Sequence, residues 1–323
     1  MNTHPTSDTI VSRLRSHAGL ILSLARESFD PIEVGEALWK SVALESILHG
    51  IQVISVTKAN MSQLDSIQAC FAADLIGVKR SSSHPAILRE LGWNTLSSTI
   101  MKRKLLFWAR LSKLNENTWA NKALSECMSA QKPYSGGWKS DYRLEIQKFH
   151  TECRIGNILK NGQTPENNIK LAIKQHDRTK LEATLKQHRL HSLKYFPNYP
   201  DGMGRQSYIK SSVASSTLAK FRLGDTDLGN RLRPPILIYP ACQTGPNNEL
   251  HLTFQCPAMS HLRQEMKHIL EEANDQQRFS QSDNRKLCSF LGQDQAPPKV
   301  LQKRGTYLSI LLDKFRELSS TNT

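Results

Sequence analysis

Ser97-Ser98-Thr99-Ile100-Met101-Lys102-Arg103-Lys104-Leu105-Leu106-Phe107-Trp108-Ala109-Arg110-Leu111-Ser112-Lys113 is the stretch that decides the fold class. Ile100, Leu105, Trp108 and Leu111 lie on or near one side of a helix, and Lys102, Arg103, Lys104, Arg110 and Lys113 make the remainder basic. Two readings of the basic side stay open. It is an ordinary solvated face, or it lies along a phosphate backbone.

The same three- and four-residue spacing recurs on both sides. Ile10, Val11, Leu14, Leu20, Ile21, Leu24 and Ala25 predict a helix over residues 9–26, with Gly19 as its candidate break. Asp30-Pro31 is a helix start, and Val34, Ala37, Leu38, Val42, Ala43, Ile47 and Leu48 carry that helix to Gly50. The β-branched residues Ile51, Val53, Ile54 and Val56 suit a short extended piece. Met61, Leu64, Ile67, Phe71 and Leu75 predict another helix ending at Gly77. A basic, serine-rich loop follows (Lys79-Arg80-Ser81-Ser82-Ser83), and His84-Pro85 opens a short helix.

The chain has 323 residues, 38% of them hydrophobic, and a formal charge of +14. Its mean hydropathy is -0.47 and its isoelectric point is near 9.6. A charge of this size points to a polyanionic partner, usually nucleic acid. Six cysteines without a regular framework point to a reducing compartment. No signal peptide or membrane-spanning stretch is present, so the expected place is the nucleus or cytoplasm.

The succession Ala37-Leu38-Trp39-Lys40, Leu48-His49-Gly50, Leu64-Asp65-Ser66-Ile67-Gln68, Ile76-Gly77, Glu90-Leu91-Gly92-Trp93 and Arg103-Lys104-Leu105-Leu106-Phe107 resembles the region after the palm in reverse transcriptases of non-LTR (long interspersed element) retrotransposons. Glu45, His49 and Asp65 depart from that pattern, where the family usually has proline, tyrosine and glutamate. Further on, Ser192-Leu193-Lys194-Tyr195 and Leu218-Ala219-Lys220-Phe221-Arg222-Leu223-Gly224 continue the resemblance. It implies a thumb-like helical domain, RNA and DNA as partners, and polymerase and endonuclease domains upstream in a full-length element. The Asp-Asp pair that holds magnesium in such polymerases does not occur in this chain. No P-loop, G-x-S-x-G or H-E-x-x-H stands out, and no catalytic activity is expected from this polypeptide alone.

Residues 115–165 carry a weaker pattern and read as a linker or connection. Within them, residues 143–153 suit a helix. His150 and Cys153, three apart, are either a metal pair or two packed side chains. Residues 166–193 predict a helix that opens the most basic part of the chain. Lys186, Arg189, Lys194, Lys220 and Arg222 are candidate phosphate contacts there. Tyr195, Phe196, Tyr199 and Tyr208 are interleaved with them, either to stack on single-stranded bases or to anchor loops on helices.

Tyr239-Pro240-Ala241-Cys242, His251 and Cys256-Pro257 form most of a small zinc knuckle. Cys242, His251 and Cys256 are good zinc ligands. A C-x-x-C pair would place the fourth three residues before Cys242, where Tyr239 stands. A phenol with an ordinary pKa of about 10 competes poorly as a ligand at neutral pH. His261, five residues past Cys256, is the other candidate for the fourth position. The stretch from Glu249 to Pro257 resembles the second half of the retrotransposon family's Cys-Cys-His-Cys knuckle. Amphipathic helices are predicted after it, over about 259–273, 285–291 and 300–318.

The expected architecture is therefore mainly α. It comprises a thumb-like domain (1–114), a linker (115–165), a basic helical connection (166–233), and a degenerate zinc-knuckle module with C-terminal helices (234–323). The expected function is nucleic-acid binding. The alternative is a domesticated or decayed helical protein–protein interaction module.

Overall fold

Helices begin where the sequence offers an acceptor for otherwise unpaired amides. Asp30 Oδ1 accepts the N–H groups of Ile32 (3.1 Å) and Glu33 (3.0 Å), and Pro31 occupies the first helical position. Thr95 Oγ1 accepts from Ser98 N, and Ser212 Oγ accepts from Ser215 N, both at 3.2 Å. The computed structural model describes residues 7–129, 138–155, 166–187, 205–226, 228, 242–264, 287, 290–291 and 297–321. These form helices and turns, with no strand among the described residues, so the fold is mainly α. The β-branched run after Gly50 makes turns, with Ile51 N–H bonded to Leu48 O and Val53 N–H to Gly50 O. No described strand offers it a ladder to join.

The chain divides into two units built from interleaved stretches. The first takes Met1–Ser28, Val34–Phe71 and Asn94–Thr184, and the second takes Phe29–Glu33, Ala72–Trp93 and Leu185–Thr323.

In the first unit, α1 (Ser7–Arg26) runs unbroken through Gly19. Helix α2 (Pro31–Leu38) enters this unit at Val34 and passes through a π turn (Trp39–Leu44) into α3 (Glu45–Leu48). The π turn places Trp39 in the core, stacked on Phe71 of α4 (Lys58–Ile76) with ring centroids 4.2 Å apart. Leu14, Ile47 and Leu64 are buried in the same unit. A second cluster joins Met101, Leu105 and Ala109 of α6 (Leu96–Leu111) to Leu124 of α7 (Trp119–Ser129). Ile146 and Phe149 of α8 (Trp138–Glu152) and Ile169 and Ile173 of α9 (Glu166–Gln187) complete it. Each such side chain contributes about 1.5–3 kcal/mol when fully buried. The linker expected over 115–165 is corrected here: its described residues supply α7 and α8 and part of this core. The spacing of Leu124, Ile146 and Phe149 is apolar enough to bury one face, although the stretch as a whole is polar.

The second unit contains α5 (His84–Glu90), α10 (Val213–Arg222), α11 (Pro298–Thr321) and the turns around 242–259. Helices α10 and α11 pack on each other, and Leu218, Phe221, Leu308 and Leu311 on them are buried. Their backbones approach at Gly305, where a Cβ would stand 2.3 Å from the Ala214 carbonyl oxygen. The final amphipathic helix expected over 300–318 is α11, longer at both ends. Of the helices expected over 259–273 and 285–291, only residues up to 264 and Leu287, Phe290 and Leu291 fall among the described residues.

Candidate functional site

The knuckle loop is built around the sulfur of Cys242. Gln243 takes a left-handed backbone conformation (φ 56°). Thr244 Oγ1 donates to that sulfur at 3.1 Å. His251 Nε2 lies 3.1 Å from the same sulfur.

The histidine is delivered by a second π turn, His251–Gln255. Asn248 starts this segment, with its Oδ1 accepting His251 N–H at 2.8 Å and its carbonyl accepting Leu252 N–H at 3.1 Å. The turn closes when Cys256 N–H donates to His251 O at 2.7 Å, the i to i+5 bond of a π turn. Pro257 then ends the segment and opens a single 3-10 turn, Pro257–Met259. Glu249, two residues before the histidine, accepts the Thr226 hydroxyl at 2.6 Å and ties the loop to the chain after α10.

The ligand atoms of Cys242, His251 and Cys256 lie within 4.8 Å of one another. Zinc bonds of about 2.0–2.3 Å in a tetrahedron space their ligands by roughly 3.5–3.8 Å, so this cluster has the scale of one ion. Cys256 and His251 are buried, and Cys242 is half-buried. Burial pushes the Cys256 thiol up from its ordinary value. Burial acts the same way on Cys242, but the bonds from Thr244, Cys256 and Gly245 outweigh it and hold that thiol below its ordinary value. Burial, and then the Arg263 guanidinium, hold His251 below the usual imidazole range. A neutral imidazole and a favoured thiolate are the forms that ligate zinc. The donor set therefore fits that ion at three corners.

The fourth corner is not supplied by His261, which is exposed and stands outside the cluster. Tyr239 lies outside the described residues. Two residues that the spacing of ligands did not reveal complete the loop. Gly245 lies against the His251 ring, and a Cβ there would stand 2.1 Å from Cε1 and 2.3 Å from Nδ1. Asn247 is buried with neither Nδ2 nor Oδ1 hydrogen-bonded.

The candidate phosphate contacts are not all at the surface. Lys102 is exposed. Arg103 pairs with Glu45 (2.6 Å) and Arg110 with Glu166 (3.3 Å), both at the surface, where such pairs are weak. Lys104 is corrected: it is fully buried, with Nζ donating to Glu145 Oε2 (2.5 Å) and Ile54 O (2.6 Å). Arg222 is corrected in the same way: its Nε donates to Glu90 Oε1 (2.9 Å) and its Nη1 to Leu291 O (2.5 Å). A side chain committed inside the core has no reach to a phosphate. Lys220 is half-buried. Arg189, Lys194 and Tyr195 lie outside the described residues, as does the Lys186 side chain.

Tyr208 takes the anchoring role: it is buried, and its hydroxyl donates to Glu90 Oε2 at 2.7 Å. Glu90 and Arg222, 132 residues apart, belong to the Glu-Leu-Gly-Trp and Lys-Phe-Arg stretches. The pair at His150 and Cys153 is packing. Cys153 Sγ meets Met101 Sδ at 3.5 Å, and His150 sits edge-on to Trp108. Burial lowers His150 to about 4 and raises Cys153 to about 12.

No helix among the described residues is long and apolar enough to cross a membrane. Comparison with protein-family models, with curated proteins and with solved structures finds no match to this chain.

Proposed function

We propose that this chain binds RNA and DNA through phosphate contacts, in the manner of the C-terminal region of a non-LTR retrotransposon reverse transcriptase, with Cys242, His251 and Cys256 forming a zinc knuckle. The observation that carries this reading is the loop in which three ligands converge and the Thr244 hydroxyl donates to the Cys242 sulfur. The formal charge of +14 supports the polyanionic partner. The residues that carry the family resemblance support the assignment as well, because Glu90 and Arg222 meet in one buried pair.

Zinc bound there would cross-link the loop to the π turn, and its binding energy would add to folding. The protein's part is to hold the ligands ready. Gly245 leaves room for the imidazole, Asn248 orients its backbone, and Glu249 fastens the loop. Base identity is not read in this arrangement; affinity comes from charge.

The test is a salt titration of binding to a single-stranded RNA oligonucleotide, run with zinc added and with zinc chelated. Affinity falls steeply as salt rises, and chelation lowers the melting temperature. Tyr239→Cys raises zinc affinity, and Gly245→Ala lowers it by displacing the His251 ring. A flat salt titration defeats the electrostatic reading, and equal zinc affinity in the parent and Tyr239→Cys defeats the ligand assignment. No affinity at low salt would leave the helical protein–protein module in its place.

A further inference from the structure

Helices α6 and α9 run antiparallel along one seam of the first unit and are clasped at both ends. The Ser98 hydroxyl of α6 donates to Asp177 of α9, and near the other end of α6 Arg110 pairs with Glu166 at 3.3 Å. Between the clasps each helix continues a row of its own at three- and four-residue steps. On α6 the row is Ser98, Lys102, Leu106 and Arg110; on α9 it is Glu166, Lys170, Lys174 and Asp177. Pairing the two rows antiparallel, as the clasps require, sets Lys102 opposite Lys174 and Leu106 opposite Lys170.

These rows lie on the solvent side of the seam. Met101 and Leu105 of α6 turn into the core with Ile169 and Ile173 of α9, and His176 Nδ1 lies 3.0 Å from Glu152 O of α8. Lys102, Lys170 and Lys174 are exposed, and among the described residues none of the three has a hydrogen bond or ion pair. The acids around the seam are committed elsewhere. Asp177 accepts from Ser98, Glu166 from Arg110, Glu45 from Arg103, and Asp65 from Ser97 N–H.

The spacing selects the partner. Residues four apart in a row stand about 6 Å apart along the helix axis, and packed helices lie about 8–10 Å apart. Three ammonium groups on that scale suit a chain that carries one charge per residue at a short, regular repeat, which is a nucleic-acid strand. An acidic peptide is held mainly by apolar and aromatic anchors at the centre of its interface. Here the rows offer only Leu106, and it is half-buried.

We infer that the seam between α6 and α9 is a track for the sugar–phosphate backbone of one nucleic-acid strand, contacted by Lys102, Lys170 and Lys174. This assignment rests on the nucleic-acid reading above and gives it a position. It joins Lys102 to two residues, Lys170 and Lys174, that the resemblance did not mark.

The experiment compares the full chain with two variants of equal net charge. One carries Lys102→Gln, Lys170→Gln and Lys174→Gln. The other carries Arg13→Gln, Arg15→Gln and Lys58→Gln, three exposed positions outside the seam. Each is titrated over a range of salt with a uridine homopolymer and with polyglutamate, and unchanged melting temperatures establish that the variants are folded. In the parent, acetylation by acetic anhydride is read by mass spectrometry with and without the homopolymer. The expected result is that the seam variant loses about two from the slope of log affinity against log salt, ~0.7 for each lost contact, and roughly a hundredfold in affinity at ~0.1 M salt. The control variant loses far less. Bound homopolymer protects Lys102, Lys170 and Lys174 from acetylation and leaves Lys58 reactive.

Equal losses in the two variants, or lysines of the seam that stay reactive under bound homopolymer, would overturn the position while leaving the nucleic-acid reading in place. Polyglutamate that matches the homopolymer in affinity, and in its loss in the seam variant, would put an acidic protein on the track instead. A parent that binds no homopolymer at low salt would remove the nucleic-acid reading and the track with it.

Discussion

The described residues of each unit include a buried ion pair, and the two are built differently. In the second unit, Arg222 and Glu90 are 3% and 0% exposed, and the partners cover several of their polar atoms. Arg222 reaches both Glu90 and Leu291 O, Tyr208 bonds the other carboxylate oxygen, and the guanidinium lies 5.2 Å from the Tyr208 ring centre. In the first unit, Lys104 meets Glu145 and Ile54 O, and Glu145 Oε1 is left without a hydrogen bond. Burial holds the Glu145 carboxyl above its ordinary value and the Lys104 ammonium below its own, against the attraction between them. Desolvation wins in that pair. A planar fork with several acceptors repays the loss of water better than a point charge whose carboxylate partner keeps one oxygen unbonded.

Breaking either pair singly has the largest effect. Arg222→Met strands Glu90 in the core and lowers stability by about 3–5 kcal/mol in urea unfolding. A loss below about 1 kcal/mol would mean that water reaches Glu90.

Removing a whole pair separates the two cases. Lys104→Met combined with Glu145→Leu leaves Ile54 O without that donor but removes a pair in which desolvation wins, so it costs less than removing Glu90 and Arg222 together. Removing Glu90 and Arg222 together leaves the Tyr208 hydroxyl and Leu291 O without partners and is destabilising. If both double variants behaved alike, the contrast between the pairs would be gone.

A smaller effect concerns pH and His150 of the first unit. The folded His150 pKa of about 4 lies below the ordinary 6.5. Its contribution to stability is therefore present above about 6.5 and lost as pH falls toward 4. His150→Gln flattens that part of the stability–pH profile, while an unchanged slope would mean that the ring is solvated.

Much of the helical layout was legible because burial of one helix face leaves a three- to four-residue period. The stretches now forming α1, α4, α6 and α11 all carry it. The cluster of Cys242, His251 and Cys256 was legible because the three are close in sequence. The fates of Lys104 and Arg222 were not. Each sits in a run that reads as basic surface, and each is buried by a carboxylate 41 or 132 residues away. Local spacing carries no record of such a partner. The close approach of Gly245 was not legible for a related reason, since it depends on where the His251 ring comes to rest.

The π turn before Cys256 has a consequence for small deletions. It holds one residue more than an α-helical turn would between the His251 carbonyl and the amide that closes it. Gln255 is exposed, so its loss takes no buried side chain from the core. Without it the segment closes as an α-helical turn, with the same Cys256 amide on the His251 carbonyl. Four steps of about 100° turn the chain nearly as far as the five narrower steps of a π turn, so the Cys256 thiol keeps its side of the segment. A one-codon deletion at this glutamine is therefore tolerated by the cluster where replacement of any of its three ligands is not.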